Sequence, residues 1–282
     1  MIENVDRRAL AGFRCIDAVT SSSILAPLAV SGTPLGLFRN RSGIYAVMDA
    51  PNISRNRTQI LLPDPNSWPA PTAYEITIQD PSLQYLPRKA NIQVPQPLPA
   101  PVTRGTSPPT TTTTPPVTTT PAPTTTAQSA ASQLPPVSTP QTVVMYPSPA
   151  APISPNWAIV RLSVTNSATP PQPLPGAVVQ ISGATTSPLT GVTNSLVEAL
   201  LAVPGLGWKV SSNSGGAVSE VTTAATISAW CDPTLLSKPA GWISNPDDIL
   251  NNLSSSNWKS APPTAVQLAP GQTVFVTLTI SM

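Results

Sequence analysis

Seventeen prolines lie between Pro95 and Pro155, and 13 threonines fall between Thr103 and Thr126. Proline holds φ near about −65° and removes a backbone donor, so neither a helix nor a central strand suits this stretch. The favoured state is extended polyproline II, at about 3.1 Å per residue. Ordered structure therefore has to be built on either side of it. No charged residue occurs between Gly105 and Val160, which further marks the stretch as a spacer. The expectation is a linker over residues 95–155 between an N-terminal β-sandwich at 1–94 and a C-terminal one at 156–282. A stretch of about 55 residues in this conformation reaches roughly 170 Å, enough for the two ends to engage well-separated sites. Pro/Thr stalks of similar composition also occur in secreted proteins, where they are often glycosylated.

The flanking halves share landmarks in the same order. A strand, a polar turn and a proline recur as Phe13–Asp17 with Pro27–Val30, and as Ile159–Asn166 with Pro173–Ile181. The segment Arg41–Asn52 parallels Asn194–Gly205, and Asp80-Pro81-Ser82-Leu83 parallels Asp232-Pro233-Thr234-Leu235. Pro51 precedes Asp80 by 29 residues and Pro204 precedes Asp232 by 28, a spacing that points to a duplicated unit.

Each copy reads as all-β. Tyr74, Ile76 and Ile78 alternate with Glu75 and Thr77, and Ala158, Val160, Leu162 and Val164 show the same period. Val274, Val276, Leu278 and Ile280 do likewise. Short strands separated by Gly, Pro and Asp-Pro turns indicate two-layer Ig-like or transthyretin-like β-sandwiches. The best helix signal is Asn245-Pro246-Asp247-Asp248-Ile249-Leu250, with Asn as cap, Pro at the first helical position and two carboxylates at the N-terminal dipole. It predicts a short helical insertion near 245–253.

The stretch Pro173–Ile181, with the later Ser42-Gly43-Ile44-Tyr45 and Leu196-Val197-Glu198 strands, resembles carboxypeptidase regulatory-like, transthyretin-like domains. Arg39–Tyr45 together with Ile78–Pro87 resembles small proteins encoded with extracellular contractile injection systems, the phage-tail-like particles of bacteria. That resemblance implies a non-enzymatic particle component, such as a baseplate or tube-end accessory. Its partners would be protein subunits, and its copy number would follow particle symmetry.

Composition narrows the function classes. The chain has no histidine, which excludes a Ser-His-Asp triad, a Cys-His dyad and His-ligated zinc. Its net charge of +2 gives no footprint for nucleic acid. Cys15 and Cys231 lie in different halves without CxxC spacing and read as small buried hydrophobes. The start, Met1 to Arg8, shows no secretory signal and no run approaches a membrane span, so the expectation is a cytoplasmic protein assembled into a particle, with no direct membrane insertion. The sequons at Asn40, Asn52, Asn56 and Asn252 carry no weight in that compartment.

Three groups of side chains are candidates for function. Arg39, Arg41, Arg55 and Arg57 sit in two Arg-Asn-Arg triplets that offer bidentate forks to a partner's acidic groups, against the alternative of surface ion pairs. Five of the six tryptophans lie in the second half, where Trp208 and Trp242 are the candidate platform for a glycan if the chain is instead a secreted carbohydrate-binding or adhesive pair of modules. Packing explains the tryptophans equally. Asp247 and Asp248 suit helix capping better than the spaced carboxylates of a glycosidase. Gly205-Leu206-Gly207 and Gly215-Gly216 lack the context of a phosphate loop and read as turns. No catalytic residue, metal site or cofactor is expected.

Overall fold

Alternation with period 2 governs both halves of the chain in a computed structural model that describes residues 9–51, 70–96, 139–206, 210–212, 218–220, 222–239 and 241–282. The first half contains β1 (Ala11–Asp17), β2 (Ala29–Ser31), β3 (Gly36–Arg39), β4 (Ile44–Asp49), β5 (Thr72–Gln79), β6 (Arg88–Val94) and β7 (Gln141–Met145). The second contains β8 (Ala158–Asn166), β9 (Val178–Ser182), β10 (Leu189–Val192), β11 (Glu198–Val203), β12 (Val210–Ser212), β13 (Val218–Glu220) and β14 (Thr223–Cys231). It continues with α1 (Pro246–Leu250), β15 (Lys259–Ser260), β16 (Thr264–Leu268) and β17 (Thr273–Ile280). The protein is all-β, and its α-helix is the short one expected from Asn-Pro-Asp-Asp.

One sheet of the first half has the order β3-β4-β1-β7 and the other β2-β5-β6. Phe13, Cys15, Tyr45 and Val47 of the first sheet meet Ile76, Ile78, Ala90 and Ile92 of the second in one core. The second half repeats this with β11-β8-β17 against β10-β9-β14, where β14 also pairs with β15 and β16. Val160, Leu162 and Leu278 there face Val179, Ile181, Ile227 and Ala229. In both halves the last strand runs parallel to the first, β7 on β1 and β17 on β8, while the remaining ladders are antiparallel.

The parallel strand β7 corrects the expected boundaries. Residues 141–145, assigned from composition to the linker, are an edge strand of the first half, with Val143 and Met145 buried in its core. The alternation Val143, Met145 is too short to stand out beside so many prolines. The Pro/Thr-rich residues 97–138 therefore stand between β6 and β7, where the second half has the turn Ala269–Gln272 between β16 and β17. They are an insertion within the first half.

Three glutamines hold the two ends of that insertion together. Gln141 makes a reciprocal pair with the main chain of Gln93, at 2.8 and 2.9 Å. The Gln96 side chain accepts from the Gly12 N–H at 3.1 Å and donates to the Thr139 carbonyl. Residues 97–138 thus leave and re-enter at one place, and the expected 170 Å separation of two tethered modules does not apply. The halves are joined instead by the stretch 146–157, which pairs its start with Gln84–Leu86: Leu86 N–H donates to Tyr146 at 2.9 Å and Ser148 N–H to Gln84 at 2.8 Å.

The halves also pack on each other. Leu86 and Tyr146 of the first half form a buried cluster with Val192 of β10, flanked by Val144 and Leu250. The Lys89 N–H donates to the Ser244 carbonyl at 2.9 Å, and α1 rests on β6. Strand β11 shows the effect on sequence. Ala199, Leu201 and Val203 fill the core, yet Leu200 and Ala202 on the opposite face are buried as well.

Candidate functional site

The turns that place polar groups are built alike in both halves. Asn40 Oδ1 accepts from the Ile44 N–H and Asn194 Oδ1 from the Glu198 N–H, each at 2.9 Å. Each of these turns includes a left-handed residue, Gly43 at φ 77° and Val197 at 71°. Alignment of the prolines set Arg41 against Asn194; the hydrogen bonds instead set Asn40 there, because the side-chain acceptor closes the turn. Asp80 and Asp232 match as expected: Ser82 and Thr234 each give N–H and hydroxyl to the aspartate two residues before them. Burial opposes the Asp80 charge, but the bonds from Ser82, Tyr85 and Gln84 outweigh it and hold the carboxyl below its usual range. Asp232 is likewise lowered against burial by Thr234 and Lys238.

The expected docking arginines separate. Arg39 turns inward, donating to the carbonyls of Leu25 and Ala26, with its guanidinium 5.8 Å from the Tyr45 ring centroid. One terminal nitrogen of its guanidinium thus braces the loop before β2. Arg41 is exposed on the β3–β4 turn. Arg55, Arg57 and Trp208 lie outside the described residues. Trp242 packs against the second core, close over Gly176, with Lys238 Nζ 5.4 Å from its ring centroid. Gly176 sits at φ 83°, and a Cβ there would meet Trp242 at 3.1 Å, so the ring is seated in a fitted notch. This is the packing reading of Trp242.

The helix carboxylates have roles that spacing did not show. Asn245 makes no side-chain cap bond; its amide donates to Asp248 Oδ1 at 3.0 Å. Burial, then the neighbouring Asp247 and Glu75, push the Asp248 carboxyl up. Asp247 pairs across the two halves with Arg88, whose side chain is only 2% exposed. Arg88 also donates to the carbonyls of Lys89 and Val144 and lies 5.5 Å from the Tyr146 ring centroid. Burial pushes the Tyr146 hydroxyl up to about 12.

A cleft of about 340 Å³ opens where the halves meet. Asp17, Ser22 and Tyr85 line it from the first half, Pro147 and Ile153 from the connection, and Trp157 and Ala202 from the second. Tyr85 donates its hydroxyl to Asp17 Oδ2 at 3.0 Å, and burial together with that carboxylate pushes the phenol far up. Sequence reasoning missed this pair because 68 residues separate its members. Among the described residues no three His, Cys, Asp or Glu side chains gather as metal ligands, and no helix is long and apolar enough to cross a membrane.

Neither protein-family models nor curated proteins yield a match to the chain. The site has to be judged on its own geometry. Among the described residues, two surface features suit docking: the outermost strands of the sheets and the cleft. On β3, the outermost strand of its sheet, Phe38 is 62% exposed, one turn from Arg41. On β17, outermost in its own sheet, Phe275 is 77% exposed.

Proposed function

We propose that this protein is a non-enzymatic structural adaptor of a large protein assembly, an accessory component of a contractile injection particle. The observation that carries the adaptor reading is the pair of open edges, β3 and β17, each presenting an exposed phenylalanine. An unpaired edge offers main-chain donors and acceptors to a partner strand, and the aromatic side chain adds apolar anchorage. The buried Arg88–Asp247 pair and the shared cluster at Tyr146 support a body that presents both edges in a set relation. Arg41 adds a charge beside β3, and its contribution is to weaken with salt. The particle assignment rests on the resemblance of Arg39–Tyr45 and Ile78–Pro87, and transthyretin-like remains the finer description proposed for each half.

Native co-sedimentation tests this. The tagged chain should pellet with high-molecular-weight particles from gently lysed source cells, alongside tube, sheath or baseplate proteins identified by mass spectrometry. Phe38→Ser with Arg41→Ser, or Phe275→Ser, should release it to the supernatant without loss of fold. Recovery of the wild type solely as a small soluble species overturns the adaptor reading.

A further inference from the structure

We infer that the cleft between the two halves binds an alkylammonium or guanidinium group, with Asp17 as its anion and Trp157 as an aromatic wall. Clefts of this size at the meeting of two packed units are common ligand sites, and specificity comes from a few polar groups among apolar ones. Asp17 is the only charged side chain among the described residues lining this cleft and attracts a cation there, while the nearby Arg39 guanidinium is engaged by the Leu25 and Ala26 carbonyls behind the lining. Aromatic faces favour the same class of ligand. Tyr85 and Trp157 are the aromatic residues in its lining.

The second half acts as an internal control on Asp17. Strand pairing places Asp17 opposite Met145 and Asn166 opposite Ile280, at the same point of equivalent ladders. Asn166 closes its turn with one amide oxygen, which accepts from Ala168 and Gln172 at 3.3 and 2.6 Å. Asp17 closes its own with Oδ1 alone, which accepts from the Val19 and Thr20 N–H groups at 2.9 and 2.7 Å and from the Thr20 hydroxyl at 3.1 Å. The turn needs one oxygen and no charge. The second oxygen takes the Tyr85 hydroxyl and, as a carboxylate oxygen, has capacity for a further donor, on a residue that lines the cleft. A carboxylate stands where an amide suffices for folding, and its surplus is a negative charge in a half-enclosed cleft.

The site stands independently of the adaptor reading, and its test uses the full chain labelled with ¹⁵N. The Trp157 indole resonance, assigned with Trp157→Phe, should shift saturably with butylguanidinium and not with its neutral isostere butylurea. Asp17→Asn keeps the turn oxygen, removes the charge and turns the Tyr85 bond round, the amide donating to the phenol oxygen; it should weaken that response at least about tenfold while the far-UV circular dichroism of the folded chain is retained. Tighter binding of acetyl-Gly-Arg-Gly-amide than of agmatine identifies a basic side chain of a partner protein as the source, and the reverse order a free amine. Three results overturn the inference: equal responses to butylguanidinium and butylurea, no response to either, or a response to maltotriose that survives Asp17→Asn. The first comparison needs no variant, so misfolding of a mutant cannot mask the outcome.

Discussion

Removing the Asp247 carboxylate should destabilise the protein more than removing the Arg88 charge it faces. Arg88 is 2% exposed and Asp247 39% exposed. In Asp247→Ala the guanidinium stays buried with two carbonyls and a tyrosine ring, and Asp248 acts on it only through space. Breaking a buried pair in this way costs about 3–5 kcal/mol, and the partial exposure of Asp247 puts the expected loss near the low end, about 3 kcal/mol. In Arg88→Met no buried charge is left behind. The carboxylate can turn to water, and the main penalty is the carbonyls that lose a donor, about 1–2 kcal/mol. The double variant should resemble Arg88→Met, so its loss falls about 3 kcal/mol short of the sum of the two single losses.

Guanidinium unfolding followed by far-UV circular dichroism and by tryptophan fluorescence is the suitable assay. Five of the six tryptophans lie in the second half, whereas the strands reporting in dichroism lie in both. In the wild type the two signals should coincide, because the interface couples the cores. In Asp247→Ala the midpoint should fall, and a melting temperature lower by roughly 6–12 °C is the thermal equivalent. A loss below about 0.5 kcal/mol, the range of ordinary surface substitutions, would refute the claim that Arg88 depends on Asp247. So would a larger loss in Arg88→Met than in Asp247→Ala.

Replacing residues 97–138 by a Gly/Ser turn of about four residues should keep the fold and raise the melting temperature by roughly 4–8 °C, since each halving of loop length is worth about 0.6 kcal/mol; and a chain cut within 97–138 should still migrate as one species, whereas separation of fragments would contradict the placement of β7. Burial pushes the Cys15 and Cys231 thiols up to about 12 and about 11, so neither should react with Ellman's reagent at pH 8 until denaturant is added. Asp80 and Asp232 have lowered folded values, so their stabilisation is complete above the unfolded value of about 3.9 and lost as pH falls through the depressed folded values. Acid titration of stability should therefore be flat from neutrality to about pH 5 and fall below about pH 4, with Asp80→Asn and Asp232→Asn each flattening that limb.

The all-β fold was legible because its signals are local. Alternation in Tyr74–Ile78 and Ala158–Val164 needs only neighbours, and Asp-Pro-Ser-Leu and Asp-Pro-Thr-Leu close turns with their own side chains. The path of the chain was not legible in the same way. Val143 and Met145 belong to the first core only through a parallel pairing with β1, made across the whole Pro/Thr stretch. The interface did leave a trace: Ala199–Val203 is apolar at every position, which an edge strand with one wet face would not need. Its uninterrupted run signals a second covered face, whereas Trp157, which shares the cleft wall with Ala202, has no mark of its own. The internal bonds of Arg39 were hidden for a related reason. An arginine beside Asn and Arg looks solvated in sequence, and only the return of the Leu25–Ala26 loop supplies the carbonyls that hold it.

The repeated architecture separates what folding requires from what it merely permits. Where both halves use the same device, as with the Asn40 and Asn194 turns, the residue is explained by the backbone it closes. Where they differ at equivalent points, the fold accepts either solution and the difference needs another cause. Leu83 is exposed and Leu235 buried after matching Asp-Pro turns, which frees the Leu83 loop for the approach of Ser148 to its carbonyl and so anchors the connection between halves. The segment 97–138 stands where four residues suffice in the second half, and Asp17 where an asparagine does. Both differences belong to the first half. Selection for something other than stability is therefore to be sought there first.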